Sequence, residues 1–172
     1  MLAERGGRMA AFDLGSGRTL WTGSAAVQQV FDMAAGPGAG AGAGQNSLVI
    51  AGATERAAAA GEQPSLEPTI ASYDLRTGRL AHQMKGLGGD IYWVRTTPGG
   101  DVIVGLEHKV ASVNLPASAL NWEISDPTAR QTPAAWVFGP KLFVQTASGS
   151  RNLWVASLVK GERRPGLLDP RG

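Results

Sequence analysis

Residues Ala11 to Trp21 read Ala-Phe-Asp-Leu-Gly-Ser-Gly-Arg-Thr-Leu-Trp, and this stretch decides the fold because its pattern returns twice along the chain. The Asp-Leu pair before Gly15-Ser16-Gly17 predicts a strand that ends in a tight turn. A second strand is expected to begin at Arg18 and to carry Trp21. The stretch therefore predicts a β-hairpin with one aromatic residue on its return strand.

The composition favours one domain of many short strands. The chain has 172 residues, among them 24 glycines and 10 prolines, which suit strands joined by turns better than long helices. Its 16 basic and 14 acidic residues are nearly balanced, and no cluster of basic and aromatic residues predicts nucleic-acid binding. Cysteine is absent, and no apolar run approaches the ~18 residues that a membrane-spanning helix needs.

Short apolar runs between turn residues predict the strands. Two insertions, 34–44 and 54–68, are rich in glycine or alanine and are expected to be flexible, with one helical turn at Ala57 to Ala60 at most. Residues 1–160 are expected to form the domain, and 161–172 a polar tail. The predicted strands after the first hairpin are Val27–Met33, Asn46–Ala53, one from Thr69, Ile91–Arg95, Val102–Leu106, Val110–Leu115, Leu120–Ile124, Ala134–Phe138, Leu142–Gln145 and Leu153–Leu158.

The copies of the opening pattern define a repeat. Asp13, Asp74 and Asn114 occupy the same position, 61 and then 40 residues apart, and the two insertions account for the longer interval. A period near 40 residues with four strands per unit is typical of β-propeller blades. The sequence therefore predicts an all-β chain of four-stranded antiparallel blades, about three to four in number.

At these residues the chain resembles the quinoprotein-like (pyrroloquinoline-quinone-like) β-propeller family, whose tryptophan-docking motif is A-x-D-x-x-T-G-x-x-x-W. The first copy matches best, with serine in place of threonine, and the second has a histidine where the tryptophan stands. The resemblance implies that each indole docks on the turn of the neighbouring blade. The motif residues are Ala11, Asp13, Ser16, Gly17 and Trp21 in the first copy, Asp74, Thr77, Gly78 and His82 in the second, and Asn114 and Trp122 in the third.

The same resemblance frames two hypotheses about function. The family includes dehydrogenases that hold the quinone and Ca²⁺ with the help of a vicinal disulfide, which a chain without cysteine cannot form. We identify no catalytic, cofactor-binding or metal-binding residue, and the first hypothesis is a non-catalytic β-propeller scaffold for protein interaction. The second is a pyrroloquinoline-quinone-dependent oxidoreductase subunit or remnant, with the quinone and calcium as cofactors.

Three residues on the first strands of their units are candidates for a binding surface: Trp93, Arg95 and Trp136. In propellers the first strands line the central channel, which would expose these side chains to a ligand or partner. The competing interpretation places both tryptophans in the core between blades, which the usual burial of large aromatic residues favours.

The chain is expected to supply fewer blades than a closed propeller needs. Propellers of this family are expected to need six to eight blades, more than the chain supplies, and the last unit is expected to lack its fourth strand. Either Met9 to Trp21 provides that strand and closes a small ring, or the blades form an arc whose open sheet edges bind a partner protein or a second copy. Proteins that the chain resembles are commonly exported to the periplasm or the cell surface, although Met1 to Arg5 lack the apolar segment of a signal peptide.

Overall fold

The chain is built from β-strands. The computed structural model describes residues 2–4, 7–37, 46–56, 63, 65–125, 134–145, 153–158 and 163–164. Every regular element within these ranges is a strand, which confirms the all-β prediction. In the same ranges no helix is long and apolar enough to cross a membrane.

The strands form four antiparallel sheets, each made of strands that follow one another in sequence. This arrangement follows from the short connections, because tight turns join only antiparallel neighbours. Sheet 1 contains β1 (Leu2–Glu4), β2 (Arg8–Phe12) and β3 (Thr19–Ser24); sheet 2 contains β4 (Gln29–Pro37), β5 (Asn46–Arg56), β6 (Ser65–Asp74) and β7 (Leu80–Lys85); sheet 3 contains β8 (Ile91–Thr96), β9 (Val102–Leu106), β10 (Lys109–Asn114) and β11 (Ala119–Ser125); sheet 4 contains β12 (Ala134–Phe138), β13 (Lys141–Gln145), β14 (Leu153–Ser157) and β15 (Arg163–Arg164).

Sheet 2 is longer than the sequence predicts, because its strands continue into both insertions. Strand β4 runs to Pro37, and the Thr96 hydroxyl of sheet 3 donates a 3.0 Å hydrogen bond to the Ala35 carbonyl. The contact depends on Gly36, where a Cβ would lie 2.3 Å from the Thr96 hydroxyl oxygen. The lack of large side chains in this segment, which predicts a flexible insertion, is therefore what allows sheets 2 and 3 to approach each other closely.

The second insertion is shortened from both sides. Strands β5 and β6 extend to Arg56 and from Ser65, so the ends of 54–68 belong to one long hairpin. The hydroxyls of Thr54 and Thr69 join its two strands where the insertion begins; they are buried and 2.9 Å apart. The expected helical turn at Ala57 to Ala60 lies outside the described residues, as do 38–45 of the first insertion.

Sheet 4, the last unit of the repeat, has a fourth strand, contrary to the prediction from the sequence. Arg163 and Arg164 pair with Ala156 and Val155 of β14, within the segment expected to be a polar tail. Met9 to Trp21 instead pair within sheet 1. Of the two alternatives for closure, the one in which this stretch completes the last sheet is therefore wrong, because β15 takes that place; β15 is too short and too polar to stand out in the sequence.

Three apolar clusters hold the sheets together in chain order. The alternation of side chains along each strand gives sheets 2 and 3 two buried faces, one for each neighbour. The clusters are Met9, Val27, Leu48, Ile50, Ala71 and Tyr73 between sheets 1 and 2; Val49, Ala51, Ile70, Leu87, Ile91, Val94, Val102, Val104, Leu106, Ala111, Val113 and Leu115 between sheets 2 and 3; and Trp93, Ile103, Val110, Ile124, Ala135, Leu142, Val144, Ala156 and Leu158 between sheets 3 and 4.

Candidate functional site

The first two motif turns are built in the same way. The Asp13 carboxylate accepts hydrogen bonds of 2.7 Å from both the backbone N–H and the hydroxyl of Ser16. The Asp74 carboxylate accepts the same pair from Thr77, at 2.7 and 2.9 Å. These bonds, first of all those from the hydroxyls, hold the pKa of each carboxyl below its ordinary value. Gly17 and Gly78 close the two turns with φ of 68° and 69°.

The third turn keeps this plan with weaker components. The Asn114 side-chain oxygen accepts one bond, from the Ala117 N–H at 3.1 Å. Ser118 stands at the glycine position and has φ of 49°, in the left-handed region that disfavours side chains. The local chemistry of the turn is thus retained where the sequence match is poorest.

Trp21, His82 and Trp122, the last positions of the three motif copies, share one register. A β-bulge precedes each of them, so that Trp21 lies opposite Ala11, His82 opposite Ser72 and Trp122 opposite Ser112. In each case the side chain falls on the face of its sheet that meets the next sheet.

Trp21 reaches across to the turn of sheet 2. Its indole N–H donates a 2.8 Å hydrogen bond to the Leu75 carbonyl. The ring lies over Gly78, where a Cβ would come within 2.4 Å of it. The positive φ of Gly78 and the absence of its side chain therefore serve both the turn and the indole.

Trp122 makes the equivalent contact with sheet 4. Its indole N–H donates a 3.0 Å bond to the Leu158 carbonyl, as Trp21 does to Leu75. Ser157 and Leu158 thus occupy the positions of Asp74 and Leu75, a fourth copy that sequence reasoning missed. The sequence marks this copy only weakly: Leu158 and Gly161 have the same spacing as Leu75 and Gly78.

The three candidates for a binding surface have different environments. Trp93 is buried, 3% exposed, with its ring over Gly105, where a Cβ would lie 2.1 Å from the ring. Its place is in the core between sheets 3 and 4, as the competing interpretation predicted for it. Trp136 is 42% exposed and faces away from that core.

Arg95 is occupied by contacts that join three sheets. Its guanidinium donates a 2.7 Å bond to the Asp32 carboxylate of sheet 2 and a 2.9 Å bond to the Ala135 carbonyl of sheet 4. The same Asp32 oxygen accepts the Val94 backbone N–H at 3.0 Å. Sequence reasoning did not single out Asp32, because nothing local marks it as the partner of an arginine 63 residues away.

A groove of about 430 Å³ lies beside Trp122, between sheets 3 and 4. Its polar lining groups contact each other: the Asp101 backbone N–H donates to the Thr97 hydroxyl at 3.0 Å, and the Asn121 amide to the Ser112 hydroxyl at 3.2 Å. Over the described ranges of the chain, no group of three or more His, Asp or Glu side chains is arranged to hold a metal ion.

The outer faces of the two end sheets carry apolar side chains. We define the sheet-1 end face as Ala10, Phe12 and Leu14, and the sheet-4 end face as Trp136, Phe138, Phe143 and Val155. Phe12 and Leu14 are 42% and 97% exposed, and Phe138 is 66% exposed. Phe138 packs edge to face on Phe143, with ring centroids 5.8 Å apart.

Comparison with known proteins defines the fold alone. No family model and no curated protein matches the chain. Among solved structures 208 chains match, including the crystal structure of the computationally designed Ika4 protein. That similarity has a TM-score of 0.56 and 14% sequence identity, and covers 80% of this chain and 71% of the other.

Proposed function

We propose that the four sheets are blades of a β-propeller and that the chain is a non-catalytic scaffold, which binds protein through its two end faces. The recurring turn, the indole contacts and the near-40-residue period support the propeller assignment.

The observation that carries this proposal is the exposure of large apolar side chains at both end faces. Leu14, Leu75 and Leu115 occupy the same position in successive copies of the motif. Leu14 is 97% exposed, whereas Leu115 is 2% exposed. Isolated exposed apolar residues are common, but a contiguous row on an open sheet face is typical of an interaction surface. Trp136, Phe143 and Val155 form such a row, since they lie opposite one another across β12, β13 and β14.

The sheet-1 end face is also concave. A groove of about 400 Å³ opens on it, lined by Ala10 and Phe12 together with Arg8, Thr22 and Ser24. An apolar floor with a polar rim is the composition usual for protein interfaces. The other end face is more aromatic, and aromatic residues are enriched where interfaces derive most of their binding energy.

Affinity capture from a lysate of the source organism tests the proposal. The baits are the wild-type chain, a variant with both end faces charged (Leu14→Lys with Phe138→Lys), and Leu66→Lys as a matched control. Leu66 is 55% exposed and lies on the long hairpin of sheet 2, away from both end faces. We expect proteins that the wild type and the control retain and the end-face variant loses. Equal recovery by all three baits would refute binding through the end faces.

A further inference from the structure

We propose that two copies of this chain pair head to tail, with the sheet-4 end face of each copy packed on the sheet-1 end face of the other. This inference rests on the proposed function, because it names the partner of the same two end faces. The three junctions between sheets inside the chain show what each end face would contact.

The sheet-1 end face has the positions that inner sheets bury against the preceding sheet. Phe12 corresponds to Tyr73 and to Val113, since all three lie opposite the residue before the bulge of the returning strand. Tyr73 is 0% exposed and Val113 2%, but Phe12 is 42% exposed. Sheet 1 thus repeats an apolar surface that elsewhere in the chain always lies under another sheet.

The first turn is an acceptor without an occupant among the described residues. The turn at Gly78 is covered by the indole of Trp21, whereas a Cβ added at Gly17 would meet nothing within 4 Å. Leu14 is the counterpart of Leu75 and of Leu158, whose carbonyls accept the indole bonds. Leu158 is 8% exposed and Leu14 is 97% exposed.

The sheet-4 end face has the positions that inner sheets bury against the following sheet. The row Trp136, Phe143, Val155 occupies the place that Arg95, Ile103 and Ser112 occupy in sheet 3, by the register of their strands. In sheet 3 this row faces sheet 4, and Ile103 is 0% exposed. In sheet 4 the row is open and more apolar than its counterpart.

The two end faces therefore complement each other by the rule that forms every internal junction. Among the described residues, the sheet-1 end face lacks a preceding sheet and the sheet-4 end face lacks a following sheet. A second copy supplies both. The pairing is heterologous, because each end face meets the opposite one rather than itself.

The area argues for a closed pair rather than a single contact. Each contact is limited by sheet 1, which has three strands, so a face about five residues long has a footprint of roughly 240 Å², from a strand spacing of ~4.8 Å and a rise of ~3.3 Å per residue. That is well below the ~800 Å² per partner of a stable complex. Two copies joined at both ends bury roughly 480 Å² of footprint each, which is nearer to that value than one contact but still below it. The pair brings together eight sheets, within the usual range of four to eight propeller blades.

Sedimentation velocity of the purified 172-residue chain, over a hundredfold range of concentration, tests this inference. We expect a concentration-dependent species of twice the 17.8 kDa chain mass. Leu14→Lys and Phe138→Lys change one end face each, and each is expected to raise the dissociation constant at least tenfold. Leu66→Lys should leave it within twofold. The altered side chains are 97% and 66% exposed, so the unfolding midpoint of each variant should match that of the wild-type monomer.

Each alternative outcome overturns the inference. A chain that stays at its monomer mass excludes self-pairing; the scaffold proposal then stands or fails on its own capture experiment. A dimer lost in only one of the two variants means that an end face pairs with itself. A dimer retained in both places the contact elsewhere on the surface.

Discussion

The indole of Trp21 should make one of two nearly identical glycines much more sensitive to substitution than the other. Gly17 and Gly78 close equivalent turns with φ of 68° and 69°, but only Gly78 lies under an indole. We expect Gly17→Ala to cost ~1–2 kcal/mol, the price of a side chain in the left-handed region. Gly78→Ala bears the same cost and must also displace the ring.

The additional cost follows from what the ring would lose. Trp21 is half-buried, so about 100 Å² of its surface leaves contact, which corresponds to ~2.5 kcal/mol at ~25 cal/mol per Å². Loss of the bond to the Leu75 carbonyl adds ~1 kcal/mol, and partial relaxation offsets some of the sum. We therefore expect Gly78→Ala to destabilise the chain by ~2–3 kcal/mol more than Gly17→Ala.

Urea denaturation measures both differences at a protein concentration where the chain is monomeric. Circular dichroism is the appropriate signal, since tryptophan fluorescence changes with the variants themselves. In a Trp21→Ala background the two alanine substitutions should cost the same within ~0.5 kcal/mol, because no ring remains to be displaced. Equal costs in the wild-type background, or a difference that persists without Trp21, would refute the docking argument.

Three further predictions concern single residues of the repeat. Arg95→Ala should destabilise the chain by ~1–2 kcal/mol, because it removes the guanidinium bonds to the Asp32 carboxylate and the Ala135 carbonyl. Arg79→Ala on an exposed turn should stay within ~0.5 kcal/mol in the same urea titration, and similar values for both variants would exclude the bridging role of Arg95. Ser118→Gly should stabilise the chain by up to ~1 kcal/mol, since it relieves φ of 49°, and a lower midpoint in thermal denaturation would contradict that reason. Asp74→Asn should lower the thermal midpoint less in acid than at neutral pH. The pKa of Asp74 is lowered in the folded state, so its carboxylate contributes stability above its ordinary pKa, and this stability is lost as pH falls below about 4. The difference in thermal midpoint between wild type and variant should therefore narrow below that pH, and a constant difference would contradict this reason.

The sequence predicts the fold well where the signal is local. Strand β9 has the predicted bounds, Val102–Leu106, and β12 the predicted Ala134–Phe138, because alternating or continuous apolar runs end at turn residues. The turns of Asp13 and Asp74 follow from side-chain chemistry within four residues. Such features depend little on what the rest of the chain does.

Prediction fails where a distant residue decides the outcome. The glycine-rich composition around Gly36 predicts a flexible insertion, yet Gly36 pairs with Ser47 in a strand, and its missing side chain leaves room for Thr96 of sheet 3. Arg95 was a candidate for ligand binding, but Asp32 and the Ala135 carbonyl already occupy its guanidinium. Trp93 and Trp136 looked alike in sequence and differ in burial, since only Trp93 has a glycine beneath it and a sheet on its far side.

The division of the core into three clusters has a consequence for local opening. Sheets 2 and 3 each contribute to two clusters, whereas sheet 1 contributes to one. Detaching sheet 1 thus exposes a single cluster and one indole contact, but detaching sheet 3 also breaks the bonds of Arg95 on both sides. Amide protons of β9 and β10 should consequently exchange with solvent deuterium last, and those of β2 and β3 much earlier, as expected when a chain opens from its ends inward.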